Sequence, residues 1–255
     1  MKRVCILGNS HAACWLLAWK TMQRDNPNYQ ITFFMVGGYE LGKLIIEQGK
    51  LVARSEKLKT QMALSADGLT QIDPSAYDAF VIVSLTFGYR NLTPLFKQCC
   101  SVATGMRSDN QLISDALMQQ SVDDILTASL ALKLASQLRQ ISNKLIVLAP
   151  APCQSEDALL TKDRELSTLL QRPDILHNYY TLFATGAKSA ANTVKAKVLF
   201  QPDNTLSVPG YTKRQFARGG INSTLTTVAA EDVSHMNTEF GALMLVELIL
   251  ALQQY

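Results

Sequence analysis

Residues 4–11 read Val4-Cys5-Ile6-Leu7-Gly8-Asn9-Ser10-His11, and this stretch decides the fold class. Four apolar residues in a row, without polar alternation, describe a strand buried on both faces. The Gly-Asn-Ser turn ends the run. Residues 11–22 then carry a helical apolar pattern with Trp15, Leu16 and Trp19. Trp15 and Trp19 lie four apart on one helix face, so they read as core.

The same grammar repeats down the chain. Further apolar strands are expected at 31–36, 80–85, 145–148 and 198–200. The first of these ends in Gly37-Gly38, the second runs into residues 86–91, and the third ends in Ala149-Pro150-Ala151-Pro152. Between them, 41–66 holds helical pieces, 109–142 is a long helical pattern, and 157–195 is mostly helical with a break at Pro173. Residues 208–228 look like loop, and 239–253 form a closing amphipathic helix. Short buried strands alternating with long helices specify an α/β protein, a three-layer α/β/α sandwich on a parallel sheet. No internal repeat or linker interrupts residues 1–255, so one domain is expected. The first strand is expected centrally, with the last helix beside it. Sites in such sheets lie at the carboxyl ends of the strands, where Gly8-Asn9-Ser10, Gly37-Gly38 and residues 86–91 converge.

Composition narrows the function. The chain has 255 residues, 47% hydrophobic and 18% charged, enough to bury a large core. The 24 Lys and Arg against 21 Asp and Glu are nearly balanced and scattered, which argues against a nucleic-acid partner. Five cysteines without C-x-x-C spacing argue against a disulfide framework and against a zinc site. Met1-Lys2-Arg3 followed by apolar residues superficially resembles an export signal, but the run breaks at 8–11 and no convincing cleavage site follows. The most apolar stretch, 242–252, contains Glu247 and is shorter than the ~20 residues of a membrane span. A soluble cytoplasmic protein is the expectation.

Two local patterns carry chemistry. Ser10 sits at a strand-to-helix turn, where a hydroxyl projects from the strand end and a backbone N–H points at an anion. That suits a nucleophile with its oxyanion donor; it equally suits a helix N-cap serine. Asp232-Val233-Ser234-His235, just before the last helix, lets a carboxylate orient an imidazole; Asp232 or Ser234 as a helix cap is the plain alternative.

Together, Gly8-Asn9-Ser10 after the first strand and Asp232-x-x-His235 before the last helix resemble the SGNH hydrolases, the GDSL-type esterases. Asn237 and Phe240-Gly241 resemble the stretch that often follows. The resemblance implies a flavodoxin-like three-layer fold, no cofactor, Ser10 as nucleophile, His235 as base and Asp232 as orienting acid. It also implies an oxyanion hole made by the Ser10 N–H, a glycine at Gly37 or Gly38, and an asparagine after the third strand. The middle block departs from the family's Gly-x-Asn-Asp: here it is Gly88-Tyr89-Arg90-Asn91, one residue longer and without the Asp. Asn91 is either a displaced donor or a turn residue ahead of Leu92-Thr93-Pro94.

The other histidines read as secondary. His11 adjoins Ser10 on a helix and does not face it, though it could line the site entrance; His177 lacks an acidic partner at useful spacing and reads as structural. Asp203-Asn204, Arg214 and Arg218 fall in segments that could border the site. By the resemblance, the expected function is hydrolysis of a small-molecule or carbohydrate ester, first of all an O-acetyl group, with a lipid ester or a thioester as open alternatives. The rivals are a non-catalytic binding protein with a degraded oxyanion hole and a nucleotide-binding module. The latter lacks both G-x-G-x-x-G and G-x-x-x-x-G-K-[ST].

Overall fold

The computed structural model describes residues 1–106, 110–160 and 172–254. Five strands form one parallel sheet: β1 (Lys2–Gly8), β2 (Tyr29–Met35), β3 (Ala79–Val83), β4 (Leu145–Ala149) and β5 (Lys197–Val198). Their order is β5-β4-β3-β1-β2, the flavodoxin-like order. The middle strand is therefore β3; β1 is interior but lies between β3 and β2, not at the centre. The fifth strand stops before Leu199 and Phe200.

The unbroken apolar runs are explained by two-sided burial. In β1, Val4 and Ile6 enter one hydrophobic cluster, and Cys5 and Leu7 enter the other. In β3, Val81 and Val83 face the first cluster, and Phe80 and Ile82 the second. Successive strand residues point to opposite faces, so the stretches buried on both faces, such as residues 4–7 and Ala79–Val83, are apolar at every position. Helices α1 (Ala13–Met22) and α6 (Thr238–Gln253) cover the first face with Trp15, Trp19, Phe240 and Leu248. Helices α2 (Glu56–Ser65), α3 (Asp115–Thr127), α4 (Leu130–Ile141) and α5 (Pro173–Thr193) cover the second. The result is the expected α/β/α layering.

Helix starts follow capping chemistry. Ser55, Ser114 and Ser129 each accept a hydrogen bond from the backbone N–H three residues on, in α2, α3 and α4. Such caps contribute about 1 kcal/mol each. The Ser129 cap splits the expected helix of 109–142 in two. Asp109 and residues 161–171 of the helical expectation at 157–195 lie outside the described residues. At the expected break, Arg172 is non-helical and Pro173 opens α5, where its missing N–H has no partner to lose.

Two segments differ from the expectation. Within 41–66, Ile45–Glu47 and Lys50–Val52 form an antiparallel hairpin, extended by Gln71–Ile72. Its two-residue turn, Gln48-Gly49, has positive φ at both positions (48° and 75°). This is the primed-turn geometry, hidden in the sequence because glutamine is not its usual first residue. Within 208–228, Tyr211–Thr212 pairs with Leu206–Val208, and Arg214–Ala217 is a helical turn. Among the described residues no helix is long and apolar enough to cross a membrane. None of the five cysteines forms a disulfide among the described residues.

Candidate active site

Most of the cleft lining follows the carboxyl ends of sheet strands, and Ser234 comes from the segment before α6. β1 delivers Gly8-Asn9-Ser10. Gly8 allows a close approach, since a Cβ there would lie 2.7 Å from the Ala12 Cβ and 3.2 Å from the Val83 Cβ. The helical cap at this turn is Asn9, whose Oδ1 accepts from the His11 N–H at 3.1 Å. Ser10 is thereby left free of capping, and its hydroxyl faces another partner.

That partner is His235. Ser10 Oγ lies 2.9 Å from His235 Nε2, across 225 positions of sequence. On the far side of the ring, His235 Nδ1 lies 2.8 Å from Asp232 Oδ2. A nitrogen beside a carboxylate carries the ring proton, so Nε2 is the acceptor and Ser10 the donor. Asp232 Oδ1 accepts from the backbone N–H groups of Ser234 (2.7 Å) and His235 (2.8 Å). Partial burial raises the Asp232 carboxyl pKa, but these backbone hydrogen bonds and the His235 ring outweigh it and hold the group below its ordinary value. Asp232 and Ser234 do not cap α6; Asn237 does, accepting from the Phe240 N–H at 3.1 Å.

The cleft above Ser10 measures about 560 Å³ and is lined by Asn9, His11, Gly38, Tyr39, Arg90 and Asn91 among others. The sequence left Gly37 and Gly38 equal. In the structure Gly38 (φ 63°) lines this cleft, whereas Gly37 lines a neighbouring cavity with Leu16, Met35 and Leu64. Asn91 also lines the cleft, and its side-chain amide has no protein hydrogen bond among the described residues. Asn91 closes a helical turn, its N–H bonded to the Gly88 carbonyl at 3.1 Å, so its backbone serves the turn while its amide stays free.

The loop that carries Asn91 has a conformation no sequence pattern announces. Ser84, Leu85 and Thr86 all have positive φ (67°, 54° and 61°), one left-handed turn closed by Phe87 N–H to Ser84 C=O at 3.1 Å. Each such residue costs on the order of 1–3 kcal/mol. The N-terminus of α4 offsets this: Leu130 N–H donates to Thr86 Oγ1 (2.9 Å) and Ala131 N–H to Leu85 C=O (3.0 Å). Asn9 Nδ2 donates to Ser84 Oγ at 3.4 Å, tying this turn to the one that carries Ser10.

His11 has a larger part than its sequence position suggested. Its ring stacks on His235, with centroids 5.2 Å apart and planes 19° apart, and it lines the cleft. Its Nδ1 is buried without a hydrogen-bond partner. Desolvation first, then the neighbouring His235 and Arg90, lower its pKa to about 4. A His11 held neutral in the folded chain and titrating near 6.5 when unfolded makes the unfolded state bind the extra proton. Folding stability should therefore rise as pH increases from about 4 to about 6.5. In His11→Phe, urea titrations across that window should give a flatter profile; an unchanged slope would contradict a neutral His11.

The remaining candidates stand apart. His177 is exposed on α5, and Arg214 pairs with Asp157 at 2.6 Å. Asp203, Asn204, Arg214 and Arg218 do not line the cleft. Arg90 does line it, and sequence reasoning missed it; the one signal was the irregular block around it.

No protein-family model matches the sequence, and no curated protein matches it. Among solved structures, the chain is similar to the periplasmic domain of a lipopolysaccharide acetyltransferase from Salmonella ser. Paratyphi A, at 9% identity over 99% of this chain and 84% of that one (TM-score 0.49). It is also similar to a DUF4886 family protein from Bacteroides uniformis ATCC 8492, at 14% identity over 100% and 83% (TM-score 0.44). A family two carbohydrate esterase from Clostridium thermocellum, as an active-site mutant, matches at 11% identity over 99% and 63% (TM-score 0.42). These likenesses are distant, so the chemistry rests on this chain's own residues.

Proposed function

We propose that this chain is a serine ester hydrolase of the SGNH kind, acting on a small acyl ester, first of all an O-acetyl group on a polyhydroxylated alcohol such as a carbohydrate. One observation carries the reading: the continuous hydrogen-bonded series Ser10 Oγ, His235 Nε2, His235 Nδ1, Asp232 Oδ2, with links of 2.9 and 2.8 Å, at the rim of an open cleft.

In the reaction, Ser10 Oγ attacks the ester carbonyl carbon and its proton passes to His235 Nε2. Asp232 stabilises the resulting imidazolium. The tetrahedral oxyanion is held by the backbone N–H groups of Ser10 and Gly38 and by the Asn91 amide. Collapse expels the alcohol, which takes the proton from His235. Water then attacks the acyl-enzyme carbonyl, gives a proton to His235, and releases the acid as Ser10 regains its hydrogen. Support for a short acyl group comes from the described lining of the cleft, in which polar residues dominate.

A fluorophosphonate probe should label the wild-type chain at Ser10, and the chain should turn over 4-nitrophenyl acetate. Neither happening would return the binding-protein reading to first place. For the oxyanion hole, Asn91→Ala should lower kcat by about 10²–10³ with little change in KM. Near-normal kcat would remove Asn91 from the hole and leave it as a turn residue.

A further inference from the structure

Among the described residues, Arg90 is the one permanently charged side chain lining the cleft. It is solvent-exposed, and it makes no ion pair with a carboxylate among the described residues. One of its donors is used: Nη1 donates to Ser234 Oγ at 2.9 Å. Ser234 directly precedes His235, so this bond holds the guanidinium beside the base. The remaining N–H groups meet no protein acceptor among the described residues and are free to bind a ligand. Among the described residues no Asp or Glu lines the cleft. An unpaired, oriented guanidinium in an otherwise uncharged cleft is an anion receptor, because its fork matches a carboxylate bidentately.

We propose that the substrate is an ester bearing a carboxylate close to the scissile bond, and that Arg90 binds that carboxylate. The inference rests on the hydrolase reading and narrows it from any small ester to an acidic one. A singly charged group is favoured over a phosphate dianion. A lone guanidinium neutralises one charge, and a second would face the ionised Asp232 behind His235.

The test compares 3-acetoxybenzoate with its methyl ester, which differ in charge but share the acetyl group and the leaving oxygen. Wild type should prefer the acid in kcat/KM, mainly through KM. Arg90→Gln should reduce the acid-to-methyl-ester ratio about ten- to a hundredfold, the range for losing a charge-assisted bond. Arg90→Lys should keep part of it. Salt should erode the wild-type preference, since the cleft is open to solvent. A ratio that is the same in wild type and Arg90→Gln overturns the inference. Binding of 3-hydroxybenzoate to Ser10→Ala, with and without Arg90→Gln, separates this inference from the hydrolase reading. Arg90-dependent binding without any turnover in wild type would refute the hydrolase and sustain the anion site. Binding indifferent to Arg90 would refute the anion site alone. Tighter binding of phenyl phosphate than of 3-hydroxybenzoate would overturn the carboxylate assignment.

Discussion

Replacing Ser10 with alanine is expected to abolish ester turnover, and His235→Ala to reduce kcat about as severely. Both remove an atom the first step needs: Ser10 Oγ is the attacking atom, and His235 Nε2, 2.9 Å away, is the proton acceptor. Asp232→Ala leaves the base present but unoriented, and triads elsewhere lose roughly 10⁴ on a change of this type. Here the loss includes more than the ring contact. Asp232 Oδ1 also holds the backbone N–H groups of Ser234 and His235, so alanine loosens the turn that aims the imidazole. The double change Ser10→Ala with His235→Ala should cost no more than either alone, because the residues act as one unit. Asp232→Ala with near-normal turnover would refute the assignment.

The largest stability effect away from the cleft is expected at Gly241. Here α6 meets the start of α1 backbone to backbone. A Cβ on residue 241 would overlap the Cys14 carbonyl and lie 2.9 Å from the Trp15 amide nitrogen. Backbone cannot step aside as a side-chain tip can. Alanine's better helix propensity, about 1 kcal/mol, opposes the clash but does not match it. Gly241→Ala should therefore destabilise by about 3 kcal/mol, near the upper range for overpacking. At about 2–4 °C per kcal/mol for a chain of this size, melting should fall by roughly 6–12 °C. Gly241→Val should fall further. A melting temperature at or above wild type in Gly241→Ala would show that the helices can separate freely. Activity should fall with stability, because α6 begins three residues after His235 and a displaced helix carries the base away from Ser10.

The difference between what was legible and what was not follows the range of the interactions. Two-sided burial demands apolar residues along the buried part of a strand, so 4–7, 80–83 and 145–148 announce themselves within a few residues, while Ser84 and Leu85, expected in the third strand, belong to the left-handed turn that follows it. The Gly-Asn-Ser turn and the Asp-x-x-His turn are local too, and both stand where their patterns put them. The hairpin at 45–52 escaped because Gln48 takes a positive φ that its type seldom shows. The left-handed turn at 84–86 escaped for a related reason: it exists because the N-terminus of α4, more than forty residues on, supplies its hydrogen bonds.

By itself the sequence determined the layers, the strand-to-helix turn under Ser10 and the short loop that sets Asp232 against His235, because each depends on near neighbours along the chain. Tertiary structure alone decided the rest. It chose Gly38 over Gly37 for the cleft, stacked His11 on His235, turned the Asn91 amide free, and left Arg90 unpaired beside the base. These outcomes depend on how β1, β3 and the segment before α6 are set against one another. That arrangement is dictated by the summed packing of two hydrophobic layers, a quantity no window of neighbouring residues contains.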